Sequence, residues 1–344
     1  MRRLLLGAVL LILACEGAAT LPAPSQKSPA AMPTATIDVS DMMGAFPAAT
    51  FFVVTGNGKL NAVALLNHAL KYSIDASTTA QVASAGGFIY VADEDKNGVR
   101  VRWIDQVNGT VLATHLEPGR TLFPTGIGHG GIAVESTTGR VLVLYLEGDR
   151  RILEAYEPYS LRPLSRRLEA SCGDRVLTGA GRVVVPCFAA GTIIVNDGTS
   201  DTQVMNPGLG PLVAAAMSVD GTTLVGRDDG ALARIPPQTT TIEKVEPFRP
   251  ATLVPDGIAS PEGGTFVVAL STSDRDISVS ETRSSQRYLS FPAQQAPRGG
   301  VLAQGQFAFW ITALGEARHI DLVQGFHETM VTFGGRVLPG GVGQ

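Results

Sequence analysis

Gly131-Ile132-Ala133-Val134, then Thr138-Gly139, then Arg140-Val141-Leu142-Val143-Leu144 make an apolar run, a tight turn and a second apolar run. Short runs rich in branched residues, separated by a glycine-bearing gap, read as a strand, a hairpin turn and a second strand. The layout returns as Gly257-Ile258-Ala259, Glu262-Gly263-Gly264 and Thr265 to Ala269, and as Ala215 to Met217, Asp220-Gly221 and Thr222 to Val225. It returns again as Gly300-Val301-Leu302, Gly305 and Phe307 to Thr312, and each copy is followed by two further strand-like runs. First strands begin near residues 80, 131, 175, 213, 257 and 300, so five intervals cover 220 residues and average 44. Residues 37–344 number 308, which is room for seven such units.

Four short antiparallel strands per unit, repeated seven times, predict an all-β fold, a seven-bladed β-propeller of four-stranded antiparallel blades. Each sheet would bury both faces against its neighbours, which explains why the runs are nearly continuous rather than alternating. Two β-sandwiches are the alternative architecture. The stretch Leu60 to Ile74 carries Leu60, Val63 and Leu70 at helical spacing. It reads instead as two strands with a turn at Asn67-His68, because Val99 to His115 has the same layout around Asn108-Gly109. The first repeat has no innermost strand ahead of Phe51, and Arg336-Val337-Leu338 follows the last full repeat, so the C-terminus is expected to supply it.

Phe88-Ile-Tyr-Val-Ala-Asp93, Val101-Arg-Trp-Ile-Asp105, Gly109-Thr-Val-Leu-Ala-Thr114, Pro124 and Gly131 to Val134 together resemble the YVTN-type and NHL-like propeller repeats. The resemblance spans residues 86–146. It implies the propeller fold and no single chemistry, since propellers of this kind include exported binding proteins, lactonases and lyases.

Met1-Arg2-Arg3 is basic and Leu4 to Ala14 is an eleven-residue apolar run, too short to span a bilayer and the size of a signal-peptide core. Export to the bacterial cell envelope, periplasmic or extracellular, follows. Ile12-Leu13-Ala14-Cys15 resembles a lipobox, in which Cys15 would carry lipid; ordinary cleavage after Ala19 is the alternative. The expected organisation is a signal segment over 1–15, a tether over 16–36 containing Pro22, Pro24, Pro29 and Pro33, and the propeller over 37–344. With Cys15 lipidated, Cys172 and Cys187 remain as a pair in an oxidising compartment. A two-residue turn at Gly179-Ala180 sets Thr178 opposite Gly181 and, in the same register, Cys172 opposite Cys187, predicting a disulfide across the first hairpin of the fourth repeat. Two buried free thiols are the alternative.

The chain has 27 basic and 31 acidic residues, a net charge of −4, so no positive excess is available for a nucleic-acid backbone. Hydrophobic residues at 44% and 60 glycines and prolines mark a folding, turn-rich chain and exclude disorder and coiled coil. Aligning the repeats puts His129, Pro255 and Arg298 at one equivalent position ahead of the first strands, with Asp256 beside it. His129, Asp256 and Arg298 are therefore the candidate ligand-binding residues at the funnel; exposed loops that are polar for solubility alone are the alternative. The five histidines are dispersed, and His319 and His327 fall on the outer strands of the seventh repeat, away from the funnel. No cofactor is evident. A divalent metal held by scattered oxygen ligands in the funnel would leave no recognisable spacing. Ser218-Val-Asp220-Gly221-Thr222 resembles the start of a sialidase Asp-box, lacks its aromatic and reads as a hairpin turn. No serine-nucleophile or phosphate-loop motif is present. The expectation is a monomeric, exported propeller that touches the membrane only through its N-terminal lipid. It would bind a protein or cell-envelope ligand at its funnel face, with a metal-assisted lactonase, hydrolase or lyase as the alternative.

Overall fold

The computed structural model describes residues 50–64, 69–85, 88–122, 130–196, 202–245, 252–260, 266–271, 276–281, 287–292, 297–304, 307–312, 314–321, 327–332 and 337–343. The signal and tether segments and the Asn67-His68 turn lie outside these residues. Every regular element described is a β-strand. The first sheet begins with β1 (Thr50–Thr55), β2 (Lys59–Ala64) and β3 (Leu70–Asp75), and the second is β4 (Gln81–Ala85), β5 (Phe88–Asp95), β6 (Gly98–Asp105) and β7 (Val111–Pro118). The third holds β8 (Thr121–Leu122), β9 (Ile132–Val134), β10 (Val141–Glu147), β11 (Arg150–Tyr156) and β12 (Pro163–Ala170). The fourth is β13 (Leu177–Gly179), β14 (Arg182–Cys187), β15 (Thr192–Asn196) and β16 (Thr202–Met205); the fifth is β17 (Ala214–Met217), β18 (Thr223–Gly226), β19 (Leu232–Ile235) and β20 (Glu243–Val245). The sixth comprises β21 (Leu253–Ala259), β22 (Phe266–Ser271), β23 (Asp276–Glu281) and β24 (Arg287–Pro292), and the seventh β25 (Pro297–Gln304), β26 (Phe307–Thr312), β27 (Glu316–Asp321) and β28 (His327–Thr332). A last strand, β29 (Val337–Gly343), returns to pair antiparallel with β1 and completes the first sheet.

Leu60 to Ile74 thus forms strands and not a helix, with Leu60 facing Ile74 across β2 and β3. All strand pairs are antiparallel, and, β8 and β9 apart, consecutive strands within a sheet pair with one another. The third sheet departs from the expected four strands. Both β8 and β9 lie on the same edge of β10, β8 against Tyr145 and Leu146 and β9 against Val141 to Val143, so its first strand is in two pieces.

Two-sided burial explains the continuous apolar runs. On β14, Val183 and Val185 pack with Leu142, Leu144 and Leu153 of the third sheet, while Val184 between them packs with Ala215, Val225 and Ala233 of the fifth. On β5, Ile89 and Val91 face Phe52 and Leu60 of the first sheet, while Tyr90 and Ala92 face Val141 and Val143 of the third. A period of two with both phases apolar is the pattern of a strand covered on each face. Each such fully buried side chain contributes about 1.5–3 kcal/mol relative to exposure. The contacts continue around the chain: Leu224 and Leu232 meet Leu253 and Ile258, and Ile277 and Val279 meet Trp310 and Ile320. Phe309 of the seventh sheet stacks on Phe51 of the first at 5.5 Å between ring centroids.

Candidate functional site

The first strands of successive sheets are neighbours, β4 beside β9, β13 beside β17, β17 beside β21, and β25 beside β29. Polar side chains at their starts tie one sheet to the next. Gln81 opens β4, is buried, and accepts the Gly131 N–H through Oε1 at 2.6 Å.

Asp256 lies on β21 inside a bulge, because Leu253 pairs with Ser271 and Ile258 already with Ala269. A bulge bends the strand and re-aims a side chain. The bulge is tight at Gly257, where an added Cβ would lie 2.6 Å from Val254 O. Asp256 itself has φ of +54°, in the left-handed region that Asp tolerates better than branched residues. Its N–H donates to Val213 O at 2.8 Å, and the residue is 1% exposed. Its Oδ1 accepts a hydrogen bond from Arg175 Nη1, which also donates to Ala215 O at 2.6 Å. Arg175 precedes the fourth sheet and so reaches across the first strand of the fifth to the first strand of the sixth. Burial pushes its guanidinium down to about 10, which still leaves it charged at neutral pH.

The segment carrying Arg175 is held on both sides. Asp174 N–H donates to Pro186 O at 2.9 Å, Phe188 N–H donates to Asp174 Oδ2 at 2.6 Å, and Val176 N–H donates to Gly130 O at 2.5 Å. Cys172 and Cys187 form a disulfide with a Cα–Cα distance of 5.4 Å. Its setting differs from the expected one. Gly179 pairs with Arg182, so the hairpin turn is Ala180-Gly181, both with positive φ, and not Gly179-Ala180. Cys172 lies ahead of β13, in the irregular segment, so the bridge joins that segment to β14 rather than linking two directly opposed strand residues. The turn moves because a type I′ hairpin requires positive φ at both central positions, and Gly181 supplies the second without strain.

Of the three residues expected at the funnel, His129 lies outside the described residues. Arg298 is on β25, at a register shift between the Pro297–Thr312 and Gly299–Ile311 pairs. Asp256 is turned onto Arg175, a residue that the repeat alignment missed. The fourth first strand begins at Leu177 and not near 175, and that two-residue displacement hid Arg175 from the position that His129 and Arg298 occupy in theirs.

Two other polar sites lie apart from this one. A cavity of about 350 Å³ is lined by Gly179, Ala180, Arg182, Asp220, Gly221, Pro237 and Gln238, at the hairpin tips of the fourth and fifth sheets. Arg182 is buried and holds its wall, donating to Pro236 O at 3.0 Å and Thr239 O at 2.7 Å. Asp220 closes the predicted Ser218–Thr222 turn, accepting from Thr222 N–H at 2.9 Å and from the Ser218 hydroxyl. Burial pushes its carboxyl up, but those hydrogen bonds and Arg234 outweigh burial and hold it below the ordinary carboxylate range. At the outer junction of the second and third sheets, Arg120 Nη1 pairs with Glu154 Oε2 at 2.6 Å and its guanidinium lies 5.1 Å from the Tyr145 ring centroid. There the Tyr156 hydroxyl is 2.7 Å from Tyr145 Oη and donates to Glu117 Oε1 at 2.9 Å, which also meets His115 Nε2 at 2.8 Å. Burial raises both tyrosines, which stay protonated donors. Among the described residues no group of three or more His, Cys, Asp or Glu side chains is placed to hold a metal ion. His319 on β27 and His327 on β28 are on the outer strands of their sheet.

No family model matches the chain, and no curated protein matches it. Solved structures do. The RRP9 WD40 repeats align with a TM-score of 0.59 at 11% identity, covering 76% of this chain and 83% of that one. The computationally designed Ika8 protein aligns at 0.59 and 13% identity over 85% of this chain and 92% of that one. BamB from Moraxella catarrhalis aligns at 0.50 and 13% identity, covering 77% of this chain and 79% of that one. At these identities the likeness is one of fold: four-stranded antiparallel sheets repeated as in β-propeller proteins.

Proposed function

We propose that the chain is a seven-bladed β-propeller of YVTN/NHL-like repeats that binds a protein partner at the mouth of its central funnel. Support for seven blades comes from the seven successive sheets and from closure, β29 on β1 and Phe309 on Phe51. The organisation proposed with it is a signal segment over 1–15, lipidation at Cys15, a tether over 16–36 and export to the bacterial envelope, so that the propeller works while held at a membrane. Support for this part is the basic, apolar and lipobox-like order of the first fifteen residues.

One observation carries binding over catalysis. Asp256, the oxygen ligand that a metal-assisted hydrolase would need at this position, is 1% exposed and committed to Arg175. A carboxylate neutralised by a buried guanidinium is a poor metal ligand, because coordination would strand the cation. Photo-crosslinkers placed at the starts of the first strands, and separately at the hairpin tips on the opposite ends, test the surface in cells. Adducts confined to the former are expected; adducts confined to the latter would move the binding face. Metal-dependent turnover of lactones or esters that Asp256→Asn abolishes would replace binding by hydrolysis. Cys15→Ser should release the protein from the membrane fraction, and its retention there would remove the anchor.

A further inference from the structure

At the start of β13 a single guanidinium nitrogen does all of the holding. Arg175 Nη1 donates to Ala215 O and to Asp256 Oδ1. A guanidinium offers five N–H groups in a rigid fork. The other three, on Nε and Nη2, have no partner among the described residues. Those two atoms are not sealed away either: Arg102 Nε and Arg234 Nε are buried without a hydrogen bond, whereas no nitrogen of Arg175 is, and its side chain keeps 11% of its surface. The unspent Nε/Nη2 edge is the one that meets a carboxylate side-on through two parallel hydrogen bonds.

The fork is also held in place before any ligand arrives. The backbone is tied on both sides of Arg175, by Asp174 to Pro186 and by Val176 to Gly130, and the Cys172–Cys187 bridge anchors the same segment. Little rotamer freedom is left to lose on binding. The guanidinium is, moreover, short of solvation, which is why burial lowers its pKa, and a second anion would restore what water no longer supplies. Asp256 opposes this by already neutralising the cation, so the site is tuned for reversible capture.

We propose that Arg175 is a carboxylate fork: a carboxylate entering the funnel mouth is bound side-on by its Nε and Nη2 edge while Asp256 and Ala215 hold its other end. This deepens the binding reading and rests on it only for what brings the carboxylate, a C-terminus or an acidic side chain of a protein partner.

The test is an NMR titration of the folded, full-length mature chain that follows the Arg175 Nε–H resonance, assigned by its loss in Arg175→Lys. The probes, at constant ionic strength, are acetate, a dipeptide with a free C-terminus, the same dipeptide amidated, a peptide amide carrying one aspartate side chain, and inorganic phosphate. A saturable shift with acetate is expected, absent with the amidated dipeptide. Asp256→Asn should tighten acetate binding roughly tenfold or more, because a like charge beside the ligand is removed. The free dipeptide and the aspartate peptide separate the two carriers. Acetate binding without either peptide would keep the fork and sink the protein-partner reading. No saturable shift in either the wild type or a folded Asp256→Asn variant overturns the fork. Acetate binding retained at unchanged affinity by Arg175→Lys, read there from the backbone amide shifts of Asp174 and Val176, or phosphate binding tighter than acetate, overturns it as well.

Discussion

The outer junction between the second and third sheets and the inner tie between the fourth and sixth sheets both join sheets through charged groups, in opposite ways. At the outer junction Arg120 is shared between Glu154 and Glu117, Tyr156 and His115 add hydrogen bonds, and the charged side chains keep 14–26% of their surface. Arg120, Glu117, Glu154 and Tyr156 each have two or more partners there, so losing one contact leaves these groups answered by another. At the inner tie one arginine meets one aspartate that is 1% exposed. Removing either takes away the main charge partner of a group that water barely reaches. Redundancy at the rim and dependence at the axis should therefore separate cleanly in mutational effects.

The largest effect is expected from Arg175→Met, which removes the cation that the buried Asp256 carboxylate meets and should cost about 3–5 kcal/mol. Urea unfolding measures it, and the Arg175→Met/Asp256→Asn double variant should recover most of the loss. A single variant within about 1 kcal/mol of the wild type would end the contrast with the rim. Next comes the clamp on the same segment: replacing Cys172 and Cys187 by alanine opens a loop whose ends are 15 residues apart and should cost about 3 kcal/mol. An unchanged unfolding midpoint would mean that the backbone hydrogen bonds of Asp174 and Val176 hold the segment unaided. Tyr156→Phe removes one hydroxyl from the rim network and should cost only about 0.5–1.5 kcal/mol. A loss as large as that of Arg175→Met would show that the rim is not redundant.

The smallest effect sharpens the comparison from outside both regions. Asp220 is held ionised in its turn, so its folded pKa lies below its unfolded value, and its contribution is present above about pH 4 and fades as the pH falls through the folded value. Hydrogen exchange at Thr222 N–H, which donates to Asp220 Oδ1, should therefore speed up on acidification in the wild type and be pH-insensitive beyond the intrinsic rate in Asp220→Asn. Equal acid sensitivity in both would assign the effect to another carboxyl.

How much of this was legible in the sequence depended on whether a residue's role repeats. Val183, Val184 and Val185 announce a strand covered on both faces wherever they occur, and the recurrence of that pattern gave the sheets and their order. The C-terminal closing strand followed from a missing partner for β1, though it runs to Gly343, well past Leu338. Single-residue detail was lost where the chain departs from the repeat. The fourth hairpin turns one residue later than expected, the cysteines pair although Cys172 lies outside the ladder, and the start of β13 at Leu177 concealed Arg175. Asp256 was named as a funnel residue without its orientation, because the bulge between Leu253 and Ile258 that turns it toward Arg175 has no signature in the repeat. The divided first strand of the third sheet, β8 with β9, likewise has no counterpart among the described residues of the other repeats.

The β29–β1 pairing also sets a schedule. Thr55 meets Val337 across a sequence separation of about 280 residues, the kind of contact that is slow to form because the whole intervening chain must be positioned first. A chain that emerges N-terminus first presents β1 with one backbone edge open throughout, an edge on which any other strand could settle. The first sheet therefore stays incomplete until β29 has been made, after the strands of the six sheets between them.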